Sequence, residues 1–230
     1  PVVEEVVESI EEAVVEAEVE TESVEVEATE EVQVEPVVGQ VSVEKSTTVY
    51  DNVNTYEALK EILAKKENNV TINITANIDV EPSEKLESYG KNVVINGGGF
   101  TLNLNETVSG VTNKFMVRGS GTIISNLTIT GYKSSAMYLP SSAKDVTITD
   151  VTLDGNGATV GIDLAGATAT IEGVKSSNHT NSGIRLRSDA KMTYKGRNEH
   201  TDDFKPLVII EKDGTSGEVI SDAGKDEKQY

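Results

Sequence analysis

The chain has 230 residues, enough for one domain with an appended segment, and it contains no cysteine, which excludes disulfides and thiolate metal sites. Its formal net charge of −19 argues against nucleic acid as a partner, because phosphate backbones attract basic surfaces. The sequence has no apolar run of about 18 residues, so it predicts no membrane insertion.

The N-terminal segment, residues 1–44, carries most of the negative charge. Its first 35 residues contain 14 Glu and no Lys, Arg or Asp, whereas the rest of the chain has 25 acidic and 20 basic residues. The valines follow helical spacing at first and strand-like alternation later, which is typical of a solvated stalk. We interpret this segment as a Val/Glu-rich acidic leader. Alternatively, its valine row docks on a partner or on a strand edge, which would allow self-association.

A short amphipathic helix is predicted at about residues 55–64. Asn54 or Thr55 can act as its N-cap, and three apolar residues fall on one face: Leu59, Ile62 and Leu63. Strands are predicted directly after this helix. We therefore expect it to cover the apolar end that the first strand would expose, as an N-terminal capping helix.

Strands are predicted from Val70 onward. Residues 70–74 alternate apolar and polar as the first strand, and Ile78/Val80 form a second. Residues 81–90, with one Pro and one Gly, predict a loop. Residues 91–104 predict two strands joined by a tight turn at Gly97–Gly99, where glycine allows positive φ.

One pattern returns four times between Phe115 and Tyr194. An apolar-x-apolar step recurs at intervals of 22, 25 and 22 residues: Phe115/Val117, Met137/Leu139, Ile162/Leu164 and Ile184/Leu186. Further alternating runs follow these steps, separated by Gly, Ser, Asn and Asp. Three short strands per turn of about 22 residues predict an all-β fold, a right-handed parallel β-helix (β-solenoid) of about five to six coils.

The alternation assigns fourteen residues to the core of this solenoid. They are Val93, Ile95, Phe115, Val117, Ile124, Met137, Leu139, Val146, Ile148, Ile162, Leu164, Ile171, Ile184 and Leu186. After Tyr194 the pattern decays into a polar loop, an apolar strand at Leu207–Ile210 and a short strand at Val219/Ile220. We assign the β-helix domain to residues 45–214 and a polar C-terminal tail to residues 215–230.

Three segments carry a resemblance to a known family: "TYEALKEIL", "NVTINITANIDV" and "GKNVVINGGGFTLNL". In this order they resemble the opening of the pectate-lyase-like adhesive domains of Gram-positive bacterial surface proteins, over about residues 50–175. The resemblance implies a secreted or wall-associated adhesion module, usually without catalysis. The Val/Glu-rich leader also resembles the variable region that follows the signal peptide in such proteins.

A candidate ligand-binding column lies on the outside of the repeated strands. The residue between each apolar pair must point outward, and stacking the coils aligns four of them: Met116, Tyr138, Asp163 and Arg185. Arg118 and Arg187 follow just beyond the strand ends. A tyrosine beside a carboxylate and guanidiniums can bind a glycan, with arginine pairing to an acidic sugar. Alternatively, Asp163 and Arg185 form only a stabilising cross-strand pair.

Residues for catalysis or metal binding do not form a recognisable set. Asp154–Gly157 predicts a turn instead of a calcium loop, because no closing Glu follows. His179, His200 and Asp202–Asp203 are interpreted as solvated loop residues, so no cofactor and no metal are predicted. Five Asn-Xaa-Ser/Thr sequences are interpreted as turns before strands: those at Asn69, Asn73, Asn105, Asn126 and Asn178.

Three functions from different classes remain open. The first is a non-catalytic extracellular adhesion or surface-display module that binds carbohydrate or a cell-surface protein. The second is a polysaccharide lyase or hydrolase of pectate-lyase-like type, which would need clustered carboxylates and a base. The third is a filament or surface-layer subunit, in which the N-terminal segment adds a strand to a neighbour or the solenoid ends associate.

Overall fold

The computed structural model describes residues 47–196, 198–201 and 207–210, and the backbone of residues 218–221. These residues form one helix and sixteen strands, which pair in parallel as one continuous sheet. The sheet coils into an all-β parallel solenoid of about 7 turns. The predicted leader at residues 1–44 lies outside the described residues, as does the predicted tail at residues 215–230 apart from 218–221.

Helix α1 spans Tyr56–Ala64. The strands in chain order are β1 (Thr48–Val53), β2 (Val70–Ile74), β3 (Ile78–Asp79), β4 (Leu86–Ser88), β5 (Val93–Asn96), β6 (Thr101–Asn103), β7 (Phe115–Val117), β8 (Ile123–Thr130), β9 (Ser135–Leu139), β10 (Val146–Ala165), β11 (Thr168–Glu172), β12 (Lys175–Arg187), β13 (Lys191–Lys195), β14 (Glu199–His200), β15 (Val208–Ile210) and β16 (Glu218–Ser221).

The strands lie on three faces of the solenoid. Face 1 contains β1, β2, β5, the start of β8, the start of β10, β11, β13 and β16. Face 2 contains β3, β6, the end of β8, the middle of β10, the start of β12 and β14. Face 3 contains β4, β7, β9, the ends of β10 and β12, and β15. Three strands per coil, as predicted, therefore stack around one interior.

The interior is filled by the side chains that alternation directs inward. All fourteen residues predicted for the core are buried, with at most 3% of each exposed. A fully buried residue such as Ile148 (0% exposed) has Ile124 in the coil on one side and Ile171 in the coil on the other. Each coil therefore buries the apolar row of the next, and the predicted alternation is confirmed.

The corners between faces use residues that tolerate positive φ. Between faces 1 and 2, successive coils place Asn126 (φ 51°), Asp150 (φ 52°) and Gly173 (φ 64°) at the corner. Asn and Asp adopt this left-handed conformation more readily than other non-glycine residues. Positive φ at Asn69, Asn126 and Asn178, each directly before strand residues, confirms the interpretation of those three sequences as turns before strands. Asn105 also has positive φ but precedes a loop, and Asn73 lies inside β2.

Helix α1 forms where it was predicted. Thr55 is the N-cap, and its hydroxyl accepts a hydrogen bond from the backbone N–H of Ala58 at 3.2 Å. Tyr56, Leu59 and Leu63 are buried and belong to the same apolar cluster as the strands. That the helix closes the N-terminal end of the solenoid stays a prediction.

Two strands and the number of coils differ from the prediction. The first strand is β1, which precedes the predicted first strand, β2. The sequence pattern missed β1 because only Val53 of its six residues is buried, so apolar and polar residues do not alternate. The segment predicted as a loop at residues 81–90 contains β4, whose second inward position is Ser88 instead of an apolar residue. The solenoid consequently has about 7 turns instead of five to six.

A buried lysine joins two long loops beside face 3. Lys114 is 0% exposed, and its ammonium donates to the backbone oxygens of Glu81 (2.6 Å), Pro82 (3.2 Å) and Asn105 (3.3 Å). Burial lowers the pKa of Lys114, and the negative charge of Glu106 opposes that shift. The loop before β4 and the loop before β7 are therefore fixed to one another.

The core register can be tested with one buried charge. Replacing Ile148, which is 0% exposed, with Asp places an unpaired carboxylate in an apolar interior, and we expect a loss of more than about 4 kcal/mol in the free energy of unfolding. Urea denaturation monitored by circular dichroism measures this loss. The matched control is Thr147→Asp, one residue away on the outer surface, for which we expect about 1 kcal/mol or less. Equal stability of the two variants would contradict the register.

Candidate functional site

Face 3 carries the column of residues predicted as a ligand site. Met116 pairs with Tyr138, Tyr138 pairs with Asp163, and Asp163 pairs with Arg185 in successive coils. Strands stack about 4.8 Å apart, so the four residues extend over about 14 Å. The predicted alignment is confirmed, whereas ligand binding by these residues stays a prediction.

Asp163 is the centre of an ionic cluster within this column. Arg185 donates to its carboxylate from Nη2 (2.7 Å) and Nε (3.2 Å), and Arg187 donates from Nε (3.1 Å) and Nη2 (3.1 Å). The Asp163 side chain is 2% exposed, while those of Arg185 and Arg187 are 23% and 30% exposed. Two forked guanidiniums thus cover a carboxylate that points away from the core, so the expected cross-strand pair is present and Arg187 extends it.

Tyr138 joins this ionic cluster through Arg187. The Arg187 guanidinium lies 5.5 Å from the centroid of the Tyr138 ring, within cation–π range. The hydrogen bond with Asp163 raises the pKa of Arg187, so this guanidinium remains charged. Met116, in the preceding coil, is only 8% exposed although it lies outside the apolar core cluster. Met116 and Asp163 therefore offer little surface to a ligand, and Tyr138 with the two arginines offers more.

A second cluster on face 3, built on Glu87, was missed by the sequence reasoning. Glu87 pairs with Met116 and so extends the column by one coil. Its carboxylate accepts hydrogen bonds from the hydroxyl of Tyr89 and from Nη2 of Arg118 at 3.4 Å. The hydrogen bond from Tyr89 lowers the pKa of Glu87 and raises that of Tyr89. The signal that could have revealed this cluster was the Leu86-x-Ser88 alternation of β4, which a polar inward residue obscures.

The structure corrects the interpretation of both histidines. His179 was expected in solvent but is 5% exposed, with its Nε2 2.9 Å from the Tyr132 hydroxyl and its Nδ1 3.2 Å from Ser176 Oγ. The Tyr132 ring stacks on it at 5.9 Å between centroids. A corner lined with glycines makes room for the imidazole, since a Cβ on Gly155 would approach its Cδ2 to 2.8 Å. His200 lies in β14 and is half-buried, so it is not a solvated loop residue either.

The remaining candidates for chemistry are separate from face 3. Asn156 (φ 45°) and Gly157 (φ 87°) form a corner inside β10, which confirms the predicted turn at Asp154–Gly157. Asp202–Asp203 lie outside the described residues. Within the described ranges, no three His, Cys, Asp or Glu residues are grouped as metal ligands would be. The same ranges contain no helix that is long and apolar enough to span a membrane.

The ionic cluster at Asp163 can be tested through its carboxylate. Replacing Asp163 with Asn keeps the shape but leaves two guanidiniums beside a neutral amide, and we expect a loss of about 2–4 kcal/mol in the free energy of unfolding. Asp79→Asn is the control, since Asp79 is exposed and accepts one hydrogen bond from Asn103. Urea denaturation of both variants provides the comparison. If Asp163→Asn is no less stable than Asp79→Asn, the arginines do not depend on the carboxylate.

Comparison with known proteins identifies the family but gives no individual relative. The family model of the pectate lyase-like adhesive domain matches residues 50–204, about two thirds of the chain. This range begins within β1, ends beyond β14 and includes α1 and most of face 3. No curated protein and no solved structure matches the chain significantly. The chain thus belongs to the family of pectate lyase-like adhesive domains.

Proposed function

We propose that this chain is a non-catalytic extracellular module for adhesion or surface display, and that it binds carbohydrate or a protein partner on face 3. Family membership is the observation that carries the proposal, since the matched model describes an adhesive domain. An adhesive domain acts outside the cell or on its surface, so we propose that location. A chain without cysteine suits either a reducing or an oxidising environment.

Face 3 is proposed as the contact surface because its strands present side chains from a rigid frame. Tyr138, Arg185 and Arg187 are partly exposed and lie on or directly beside paired strands. Side chains that are already held in place lose less conformational entropy on binding, which favours weak ligands such as single sugar units. Asp163 engages Nε and Nη2 of Arg187, and a guanidinium has five N–H donors, so donors remain for a ligand.

The proposal makes a prediction for Tyr138. The full chain is tested on a glycan array and against a panel of extracellular-matrix proteins, and Tyr138→Ala should weaken whichever binding is observed by about 1–2 kcal/mol because its ring is lost. Thr170→Ala, a partly exposed residue on face 1, is the control and should bind like the parent. Loss of binding in the control alone would place the contact on face 1. Absence of any binding partner on both panels would contradict adhesion.

The proposed absence of catalysis is tested separately. The full chain is incubated with pectin and with alginate in the presence of Ca²⁺, and release of unsaturated uronide is followed by ultraviolet absorbance. Lyase chemistry requires a carboxylate-bound metal and a base near the sugar carboxylate, and we expect no release above the rate of a heat-denatured sample. Steady release that scales with protein concentration would contradict the proposal and favour a polysaccharide lyase.

A further inference from the structure

An open cleft lies at the N-terminal end of face 3, outside the predicted column. It has a volume of about 540 Å³, within the range of about 300–1,000 Å³ that small-molecule sites occupy. Helix α1 and the turn after it form one wall, β4 and its flanking residues form the second, and the loop before β7 contributes Gly110 and Val111. We call this feature the α1 cleft.

The walls of the α1 cleft are fixed by the fold. Leu63 of α1 and Leu86 of β4 line it and are 5% and 1% exposed, so both belong to the packed core. Lys114 binds the loop before β4 to the loop before β7 through backbone oxygens on both loops. The cleft is consequently present before any ligand arrives, which lowers the entropic cost of binding.

Tyr89 supplies an aromatic ring to the α1 cleft. It is 39% exposed and follows β4 directly. The next residue, Gly90, stacks so closely on the preceding coil that a Cβ there would lie 1.8 Å from the backbone oxygen of Glu67. Only glycine fits this approach, so the backbone that carries Tyr89 is held in place. The Lys66 ammonium lies 4.7 Å and the Arg118 guanidinium 5.3 Å from its ring centroid.

The charges that line the α1 cleft leave a positive excess. Three lysines line it against two glutamates. Glu84 is paired with Lys60 at 2.8 Å, and Glu87 is paired with Arg118 and Tyr89. Lys66 and Lys85 make no ion pair with any residue in the described ranges. A cation–π contact orients the Lys66 ammonium without neutralising it, so this ammonium can still pair with an anion.

These features match an acidic sugar better than a polyacidic peptide. A sugar acid has one carboxylate for the unpaired ammonium groups, an apolar ring face for Tyr89 and Val111, and hydroxyls that can donate to Glu84 and Glu87. The same two glutamates would repel the closely spaced carboxylates of an acidic peptide. We propose that the α1 cleft binds one carboxylated sugar unit of a glycan, with its carboxylate between Lys66 and Lys85. This inference rests on the carbohydrate branch of the proposed function.

The test measures binding of defined sugars to the full chain by isothermal titration calorimetry. Two acidic probes, 3′-sialyllactose and trigalacturonate, distinguish sialic from uronic acids. Lactose and fully methyl-esterified trigalacturonate are their neutral counterparts, and a tetraglutamate peptide tests the alternative ligand. We expect at least one acidic probe to bind, with its neutral counterpart and the peptide bound at least about tenfold more weakly, because each loses a carboxylate pairing or adds repulsion.

Lysine variants locate the site. Lys66→Gln and Lys85→Gln should each weaken the bound acidic probe by about fivefold to tenfold, and the double variant should abolish measurable binding. Both residues are exposed, so the fold is retained, which circular dichroism verifies. Lys195→Gln, an exposed lysine of β13 far along the stack, removes the same charge and should bind like the parent. Lys66 has a positive φ of 55°, a conformation that β-branched residues tolerate poorly. Gln, like Lys, is not β-branched and can adopt it.

Each other outcome overturns the inference. Equal binding of neutral and acidic probes, tighter binding of the peptide, or unchanged affinity in the Lys66→Gln/Lys85→Gln variant would exclude a carboxylate site in the α1 cleft. If that variant still binds the array glycans like the parent, the proposed adhesion function stands and only the cleft assignment fails. If no acidic probe binds, the cleft assignment fails as well, and the glycan array and the protein panel together decide the proposed function.

Discussion

The structure depends on the parallel stacking of coils at one constant spacing. No coil can bury its apolar row alone, and Ile148 is fully buried only because Ile124 and Ile171 lie above and below it. This stacking also determines which outward side chains are neighbours, because outward residues of successive coils align in columns with about 4.8 Å between one residue and the next. A residue on face 3 therefore has fixed neighbours in the adjacent coils, and its chemistry must be compatible with theirs.

The polar contacts of face 3 follow from that constraint. Side chains held in one column must attract one another or be shielded, and the column places Glu87 beside Met116 and Asp163 beside Arg185. Two arginines then complete two separate clusters: Arg118, directly after β7, pairs with Glu87, and Arg187, the last residue of β12, pairs with Asp163. In both clusters a tyrosine ring lies within cation–π distance of the arginine. Met116 lies between Glu87 and Tyr138 in the column and so separates the two clusters.

The two clusters differ in how much of their charge is satisfied internally. Asp163 receives four hydrogen bonds from two arginines and is almost completely covered. The cluster at Glu87 adjoins an open cleft that also contains Lys66 and Lys85. A buried, fully paired carboxylate contributes to the rigidity of the sheet, whereas unpaired ammonium groups beside a cavity are suited to an external anion. Face 3 thus combines a stabilising cluster with a cleft that is open to a ligand.

The sequence predicted the regular part of this fold well. Period-2 alternation identified the strands and all fourteen core residues, because inward side chains in a solenoid repeat with the coil. The alternation missed β1, in which only Val53 is buried. It also missed β4, in which the polar residue Ser88 occupies an inward position. The column was predictable from the register, but its burial was not, because the covering of Asp163 depends on the rotamers of Arg185 and Arg187. The α1 cleft arises from contacts between a helix and two loops that no local pattern encodes.

We propose that face 3 of the solenoid is the surface that contacts a ligand or partner. Amide hydrogen exchange of the full chain, measured by mass spectrometry with and without a saturating partner, tests it most directly. Binding on face 3 should slow exchange in peptides that contain β4, β7 and β9 or the end of α1, and should leave β11 and β13 of face 1 unchanged. Slower exchange confined to β11 and β13 would exclude face 3 as the contact surface.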